Sequence, residues 1–475
     1  MKKYIIIAIS LLLAGTLHAQ RYEITFNIPK MPDSTVYLAQ HYRDGFIFID
    51  SAKVKNRSQS TASVTFAGKG KLERGIYTLV PSHAAKKGWI DFTIDGSQKF
   101  SITLTPSKEM VNPVKDIEGS DANVAMFSYI AKVNWAKAQQ REIEKQKTSS
   151  DPKVKDKAEH DMELLTNVMT EYEKQTIEQN KKYRFFEILA MDQEPVVPEG
   201  TKDEVAYYCT HYWDNMNLAD HALVRTPDLF NKMSYYFFGV LYHADKDTIC
   251  KYADMVFSRI GNDTLMLRYF MDYLMPRYYR STTKVGWDAV WCYLVRQYYL
   301  TGKCGWATQA DITNKRKTCE FLEKSLIGAL GAEIRMADTN QSTDPKDWIS
   351  SHNFPQKYVI LWFWDPDCHH CQEQTATLKI LYDSLVTAGN KLFEVYAVGY
   401  EADVNKWKKY VREHQLPFVN VGGTNVNIDY QEAYNVHGAP TMIILNEERR
   451  IIMNKTLPTK AILPFLKRYE ERRKQ

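Results

Sequence analysis

Past its first twenty residues, the 475-residue chain holds no apolar run long enough to cross a bilayer. It carries no block of one charge either. Its 62 Lys and Arg stand against 57 Asp and Glu, for a formal net charge of +5. Both signs are interspersed, which argues against nucleic acid as the main partner. Cysteine is sparse and odd in number, seven in all, so at least one thiol is unpaired and a catalytic pair is favoured over a disulfide scaffold. There is no second C-x-x-C and no H-x-x-x-H to complete a tetrahedral metal set. No repeat at solenoid period is present. What remains is a globular composition, 44% hydrophobic and 13% aromatic, and a length that suggests about three domains.

The most informative stretch runs from Tyr358 to Cys371. Seven apolar residues, Tyr358 to Trp364, suit a strand buried on both faces. Pro366 ends it, having no N–H to give to a ladder. Leu378, Leu381, Tyr382 and Leu385 then recur at helical spacing. Cys368 therefore stands where a strand becomes the first turn of a helix, and the free N–H groups and dipole of that turn favour a thiolate. His369 and His370 follow at once, and a protonated imidazole would tune the thiol in the same direction. Cys371 comes one turn later, within reach of a disulfide with Cys368. The pattern reads as a redox dithiol.

Taken in order, the chain opens with Lys2 and Lys3, the apolar run Tyr4 to Leu13, and Leu17-His18-Ala19 before Gln20. This reads as a signal peptide over residues 1–19. No Cys follows the run, so no lipid anchor is expected there. Residues 20–115 alternate with period two, as in Tyr22, Ile24, Phe26 and Ile28, with turns at Asp44-Gly45 and Asp95-Gly96. They predict an antiparallel β-sandwich. Over residues 116–326 the period is helical. Ser120 and Asp121 can cap the first helix, and Ser149-Ser150-Asp151-Pro152 reads as the loop of a hairpin whose return arm runs to Met191. The clusters Tyr207-Tyr208, Tyr235 to Phe238 and Tyr298-Tyr299 suit the ordinary core and rim of a helical domain better than a peptide groove. Cys209, Cys250, Cys292, Cys304 and Cys319 fall in this region as buried thiols without close spacing, with Cys304 and Cys319 one candidate pair.

Within a C-terminal domain over residues 327–475, the stretch from about Ile327 to Tyr469 resembles the thioredoxin fold, and more closely the secreted TlpA/ResA-like thioredoxins that reduce protein disulfides outside the cytoplasm. The resemblance rests on Phe363-Trp364-Asp365-Pro366-Asp367-Cys368-His369-His370-Cys371, the strand Phe393 to Gly399, and Gly438-Ala439-Pro440-Thr441. It implies a C-terminal α/β thioredoxin fold in a multidomain chain. It also implies a cis Pro440 facing the dithiol, with Ala439, Pro440 and Thr441 presenting backbone to the substrate. The sandwich resembles the β-rich domain of unknown function found ahead of secreted thioredoxins in some Gram-negative bacteria. Two positions depart from the pattern. Trp362 stands where thioredoxins proper carry a buried Asp, and Gln374, with Glu373 beside it, stands where TlpA/ResA-like members usually have Glu. Glu373 and a His are the candidate proton acceptors for Cys371.

The function these readings imply is a periplasmic thiol:disulfide oxidoreductase reducing protein disulfides through Cys368 and Cys371. It would use no cofactor beyond the Cys368–Cys371 disulfide and no metal, and would draw electrons from a membrane-bound donor. Three alternatives stay open. The pair can run as a disulfide oxidase or isomerase, because a stabilised thiolate makes a dithiol more oxidising. The Cys/His cluster can be a zinc or copper half-site. The N-terminal domains can make the chain a peptide- or envelope-binding protein. The peroxiredoxin signature, Pro-x-x-x-Thr/Ser-x-x-Cys, is absent before Cys368. The mature chain is expected to begin at Gln20 and to stay in solution. N-terminal sequencing that found Met1 intact, or retention on membranes through a high-salt wash, would contradict this.

Overall fold

The period-two stretches form strands in the computed structural model, which describes residues 22–28, 35–55, 62–85, 87–104, 114–281, 284–400 and 403–474. The signal-peptide reading lies outside these residues. Strand β1 (Tyr22–Ile28) buries Tyr22, Ile24, Phe26 and Ile28 and turns Glu23 to solvent, as the pleat requires. It is joined by β2 (Thr35–Tyr42), β3 (Gly45–Lys53), β4 (Ala62–Gly68), β5 (Gly75–Val80), β6 (Ile90–Ile94), β7 (Lys99–Leu104) and β8 (Val114–Glu118). They make two four-stranded sheets, ordered β4-β1-β7-β8 and β3-β2-β5-β6. Phe26, Phe66, Phe92 and Phe100 fill one core with residues of both sheets. The pairing is antiparallel except between β1 and β7, which run parallel. The chain passes through the other sheet between them, and a connection of that length can enter in either direction.

The chain divides into two compact units, Met1–Tyr242 and His243–Gln475, and the helices expected over 116–326 are shared between them. In the first unit, Ser120 caps α1 (Asp121–Lys147) and Asp151 caps α2 (Pro152–Asn180). The hairpin loop thus falls where its polar residues placed it. The return arm is broken, however, and resumes as α3 (Arg184–Met191). Two backbone groups leave the helical ladder at the break. The Lys182 carbonyl accepts from Arg74 Nη2 at 2.7 Å, and the Arg184 N–H donates to Asp95. Arg74 itself pairs with Asp95 at 2.7 Å and Glu187 at 3.0 Å. Beyond lie α4 (Glu204–His211) and α5 (Pro227–Tyr235), the latter continued by a π turn over Tyr236–Val240. Tyr236 and Phe237 are buried there, as core residues.

The second unit begins with α6 (Lys246–Ile260), α7 (Thr264–Arg280), α8 (Trp287–Leu294) with a π turn over Val295–Tyr299, and α9 (Gln309–Glu323). Tyr298 and Tyr299 are likewise buried. Then come β9 (Arg335–Asp338) and β10 (Ile349–Ser350), too short to register as periodic, followed by β11 (Tyr358–Trp364) and α10 (His369–Thr387). The chain continues through β12 (Phe393–Gly399), α11 (Val404–Glu413), β13 (Val419–Val426) and α12 (Tyr430–Tyr434). It ends with β14 (Thr441–Leu445), β15 (Ile451–Met453) and α13 (Thr459–Arg473). The seven strands form one sheet, β10-β9-β13-β12-β11-β14-β15. Strand β11 is central and buried on both faces: Tyr358, Ile360, Trp362 and Trp364 join one core, Val359, Leu361 and Phe363 the other. Among the described residues, no helix is long and apolar enough to cross a membrane.

Asn123 on α1 closes a weak point of the sandwich. Strand β6 is an edge of its sheet, and the buried Asn123 amide accepts from Thr93 N–H at 2.8 Å and donates to Thr93 C=O at 2.9 Å. The side chain so stands in for a neighbouring strand. Asn123→Ala leaves both backbone groups buried without that partner and is expected to destabilise the first unit by about 2–3 kcal/mol. Urea unfolding would measure it, and a change below about 0.5 kcal/mol would exclude this role.

Candidate functional site

The turn after β11 is fixed by bonds from three directions. Asp365 Oδ1 accepts the Asp367 N–H at 2.9 Å, and the Asp365 carbonyl accepts the Cys368 N–H at 3.2 Å. Gln372 Nε2 donates to the Pro366 carbonyl at 2.6 Å, and Lys406 on α11 pairs with Asp367 at 2.7 Å. Helix α11 is itself seated by Trp407. Its ring lies over Gly399 and Gly422, where an added Cβ would come within 3.0 and 3.1 Å of the indole. These two glycines on neighbouring strands make room for the ring, a signal in the sequence that periodicity does not show.

Cys368 is the N-cap residue of α10, and its sulfur accepts the Cys371 N–H at 3.3 Å. It is half-buried, whereas Cys371 is fully buried. The Cys371 thiol is pushed up to about 12, chiefly by burial and then by its hydrogen bond with Cys368, against a smaller opposing hydrogen bond from the Asp365 backbone. Across from Cys368 lies the Ala439 carbonyl, 4.0 Å from Sγ, and the Ala439–Pro440 peptide is cis. Register explains this meeting. Strands β14 and β11 pair antiparallel with Thr441 opposite Phe363, so the residues just before Thr441 fall beside the turn that leaves β11. Thr441 Oγ1 donates to the Gly438 carbonyl at 2.6 Å, and Thr456, which the sequence did not single out, donates to the Pro440 carbonyl at 3.3 Å.

The structure therefore brings Cys368, Cys371, Ala439, Pro440 and Thr441 together. His369 and His370 are exposed and directed to Glu373, with His369 Nε2 at 3.2 Å and His370 Nδ1 at 3.9 Å from its carboxylate. Glu373 stands two residues beyond Cys371, hence on a different face of the helix, with the imidazoles and outside the core. Under the dithiol, Trp362 Nε1 donates to the buried Thr375 Oγ1 at 3.0 Å. Trp362, at the sequence position where the resemblance would place a carboxylate, is thus engaged in a neutral pair. Among the described residues, no third Cys, His, Asp or Glu joins Cys368 and Cys371 in a metal-ligating cluster.

Residues 356–451 match the family model described as Thioredoxin-like. They form a thioredoxin-like domain. Residues 136–324 match a Domain of unknown function, DUF5106. The soluble secreted antigen MPT53 of Mycobacterium tuberculosis is 26% identical over 124 residues, 24% of this chain and 67% of that protein. A thioredoxin-like protein from Bacteroides caccae is similar in structure over 58% of this chain and 98% of its own, at 19% identity and a TM-score of 0.46. A thiol:disulfide interchange protein from a Bacteroides species is similar over 31% and 90%, at 21% identity and a TM-score of 0.25.

The asymmetry between the two sulfurs has a direct readout. With Cys371 neutral until pH approaches about 12, its thiolate stays scarce through the neutral and mildly alkaline range. Iodoacetamide should modify Cys368 first in the folded, reduced protein and leave Cys371 intact at pH 7 to 9. Equal labelling of both at pH 7 would contradict the assignment.

Proposed function

We propose that this chain is an exported thiol:disulfide oxidoreductase that reduces disulfides of protein substrates through Cys368 and Cys371. The observation that carries the reading is the half-buried Cys368 at the N-cap of α10, opposite the cis Ala439–Pro440 peptide, with Cys371 fully buried behind it. Cys368 attacks one sulfur of the substrate disulfide. The bond between the substrate sulfurs breaks, the departing sulfur takes a proton, and a mixed disulfide remains. Cys371 then gives up its proton and attacks the Cys368 sulfur. The second substrate sulfur takes a proton and the substrate leaves with two thiols; its two electrons come from the Cys368 and Cys371 thiols, which are oxidised to the Cys368–Cys371 disulfide. The half-buried backbone around Pro440 would pair with extended substrate chain.

The short apolar run at the N-terminus supports export to the periplasm, and the name of the mycobacterial relative, a soluble secreted antigen, agrees with it. In a compartment where disulfides persist, a reductase needs a membrane-bound donor to restore its dithiol. Trapping tests the assignment. Cys371→Ser should accumulate thiol-reversible covalent complexes with client proteins and Cys368→Ser should not, while both lose insulin reduction. Complexes with Cys368→Ser alone would reverse the roles, and complexes with neither would count against disulfide exchange.

A further inference from the structure

Helices α8 and α9 bring a second pair of cysteines together, outside the dithiol. Cys292 and Cys319, 27 residues apart, have their sulfurs within 4.8 Å of one another. Cys292 Sγ lies 3.9 Å from the Cys319 carbonyl oxygen, and Cys319 Sγ lies 3.7 Å from the Cys292 carbonyl oxygen. Each side chain thus reaches the other's backbone. That mutual approach is what a disulfide needs, since it holds Cβ atoms only about 3.5–4.5 Å apart. Cys319, in the sequence one candidate partner for Cys304, meets Cys292 instead.

The surroundings favour a covalent bond over a metal. Glu323 Oε1 is 3.3 Å from Cys319 Sγ and would be the third ligand. Its carboxylate, however, is gripped at both oxygens by the Arg296 guanidinium, through Nε and Nη2. A cation placed there would compete with a fixed positive charge, and among the described residues no fourth Cys, His, Asp or Glu joins the cluster.

We propose that Cys292 and Cys319 form a second disulfide, a structural cross-link that ties α8 to α9. The oxidant is itself a disulfide, small-molecule or protein. One cysteine thiolate attacks a sulfur of that oxidant and releases its other half as a thiol. The second cysteine then displaces the remaining half. Two protein thiols give up two electrons and two protons, and the oxidant leaves as two thiols. The bond closes while the helices are still docking. Once they have docked, the Cys292 thiol is held far above its ordinary range by its hydrogen bond with Cys319 and by burial, so little thiolate is available.

The brace also bears on the substrate-facing loop. Asp288, one turn before Cys292 on α8, accepts from Asn454 at 2.8 Å and pairs with Lys455 at 3.4 Å. On α9 the Phe321 ring lies 6.1 Å from that of His437, and Lys324, which follows the helix, pairs with Glu432 at 2.6 Å. The cross-linked helices so hold chain on both sides of Pro440.

The test refolds the full chain with oxidised and reduced glutathione, quenches in acid, alkylates in denaturant and maps unreduced peptides by mass spectrometry. It is run on the natural sequence and on Cys368→Ala/Cys371→Ala, which separates this bond from the redox dithiol. The expected result in both is a peptide pair joining Cys292 to Cys319, with Cys209, Cys250 and Cys304 alkylated. Free Cys292 and Cys319, either one bonded elsewhere, or both protected by one equivalent of zinc would overturn the proposal. In the Cys368→Ala/Cys371→Ala protein, reduction should also lower the urea midpoint, and adding Cys292→Ala/Cys319→Ala should abolish that response. A midpoint indifferent to reductant before those changes would overturn the structural role.

Discussion

Because all seven side chains of β11 are buried, the strand cannot slide against its neighbours without exchanging the occupants of two cores. A slip of one residue would send Trp362 and Trp364 to the face built for Val359, Leu361 and Phe363. The register with β12 on one side and β14 on the other is fixed by that penalty. The site inherits its geometry from it. The end of β11 determines where the Asp365–Asp367 turn begins, and the register with β14 brings Ala439 and Pro440 up to the same point. The dithiol is therefore positioned by hydrophobic packing along β11, in a core that takes in Cys371 itself.

Within the site, burial separates two chemically identical side chains. Cys368 and Cys371 are one helical turn apart, yet one caps the helix at the surface and the other is sealed into the core. The loop that shapes this contrast is tied by side chains of different origin: Asp365 in the turn, Gln372 on α10 and Lys406 on α11. The polar bonds fix the backbone, and the apolar core sets which sulfur meets solvent.

What could be read from the sequence follows the range of the interactions. The buried strand, the helix after it and the hairpin loop at Ser149–Pro152 depend on neighbours a few residues away, and period and capping chemistry expose them. The likeness at Gly438-Ala439-Pro440-Thr441 marked the segment that faces Cys368. The parallel pairing of β1 with β7 was not legible, because alternation fixes which face a residue takes and says nothing of strand direction. Nor was the break at Lys181–Tyr183, since it depends on Arg74 and Asp95, residues distant in the chain. The outward pairing of His369 and His370 with Glu373 and the bond between Trp362 and Thr375 likewise needed coordinates, because each turns on which helical face meets the sheet.

Trp407 adds a consequence of another kind. Its indole rests where Gly399 and Gly422 on adjoining strands offer bare backbone, so α11 is keyed to the sheet like a peg in a socket. Two missing side chains thus act as a mould whose shape only one helix placement satisfies. A methyl group at either glycine would meet the indole at 3.0–3.1 Å, so the ring and the helix that carries it would have to give by a few tenths of an ångström. The residue before Trp407 is Lys406, which pairs with Asp367 in the turn that carries Cys368, so a shift of α11 would bear on that turn. Tolerance to substitution at these two glycines is thus a mechanical property of the turn that carries Cys368, although neither glycine belongs to that turn.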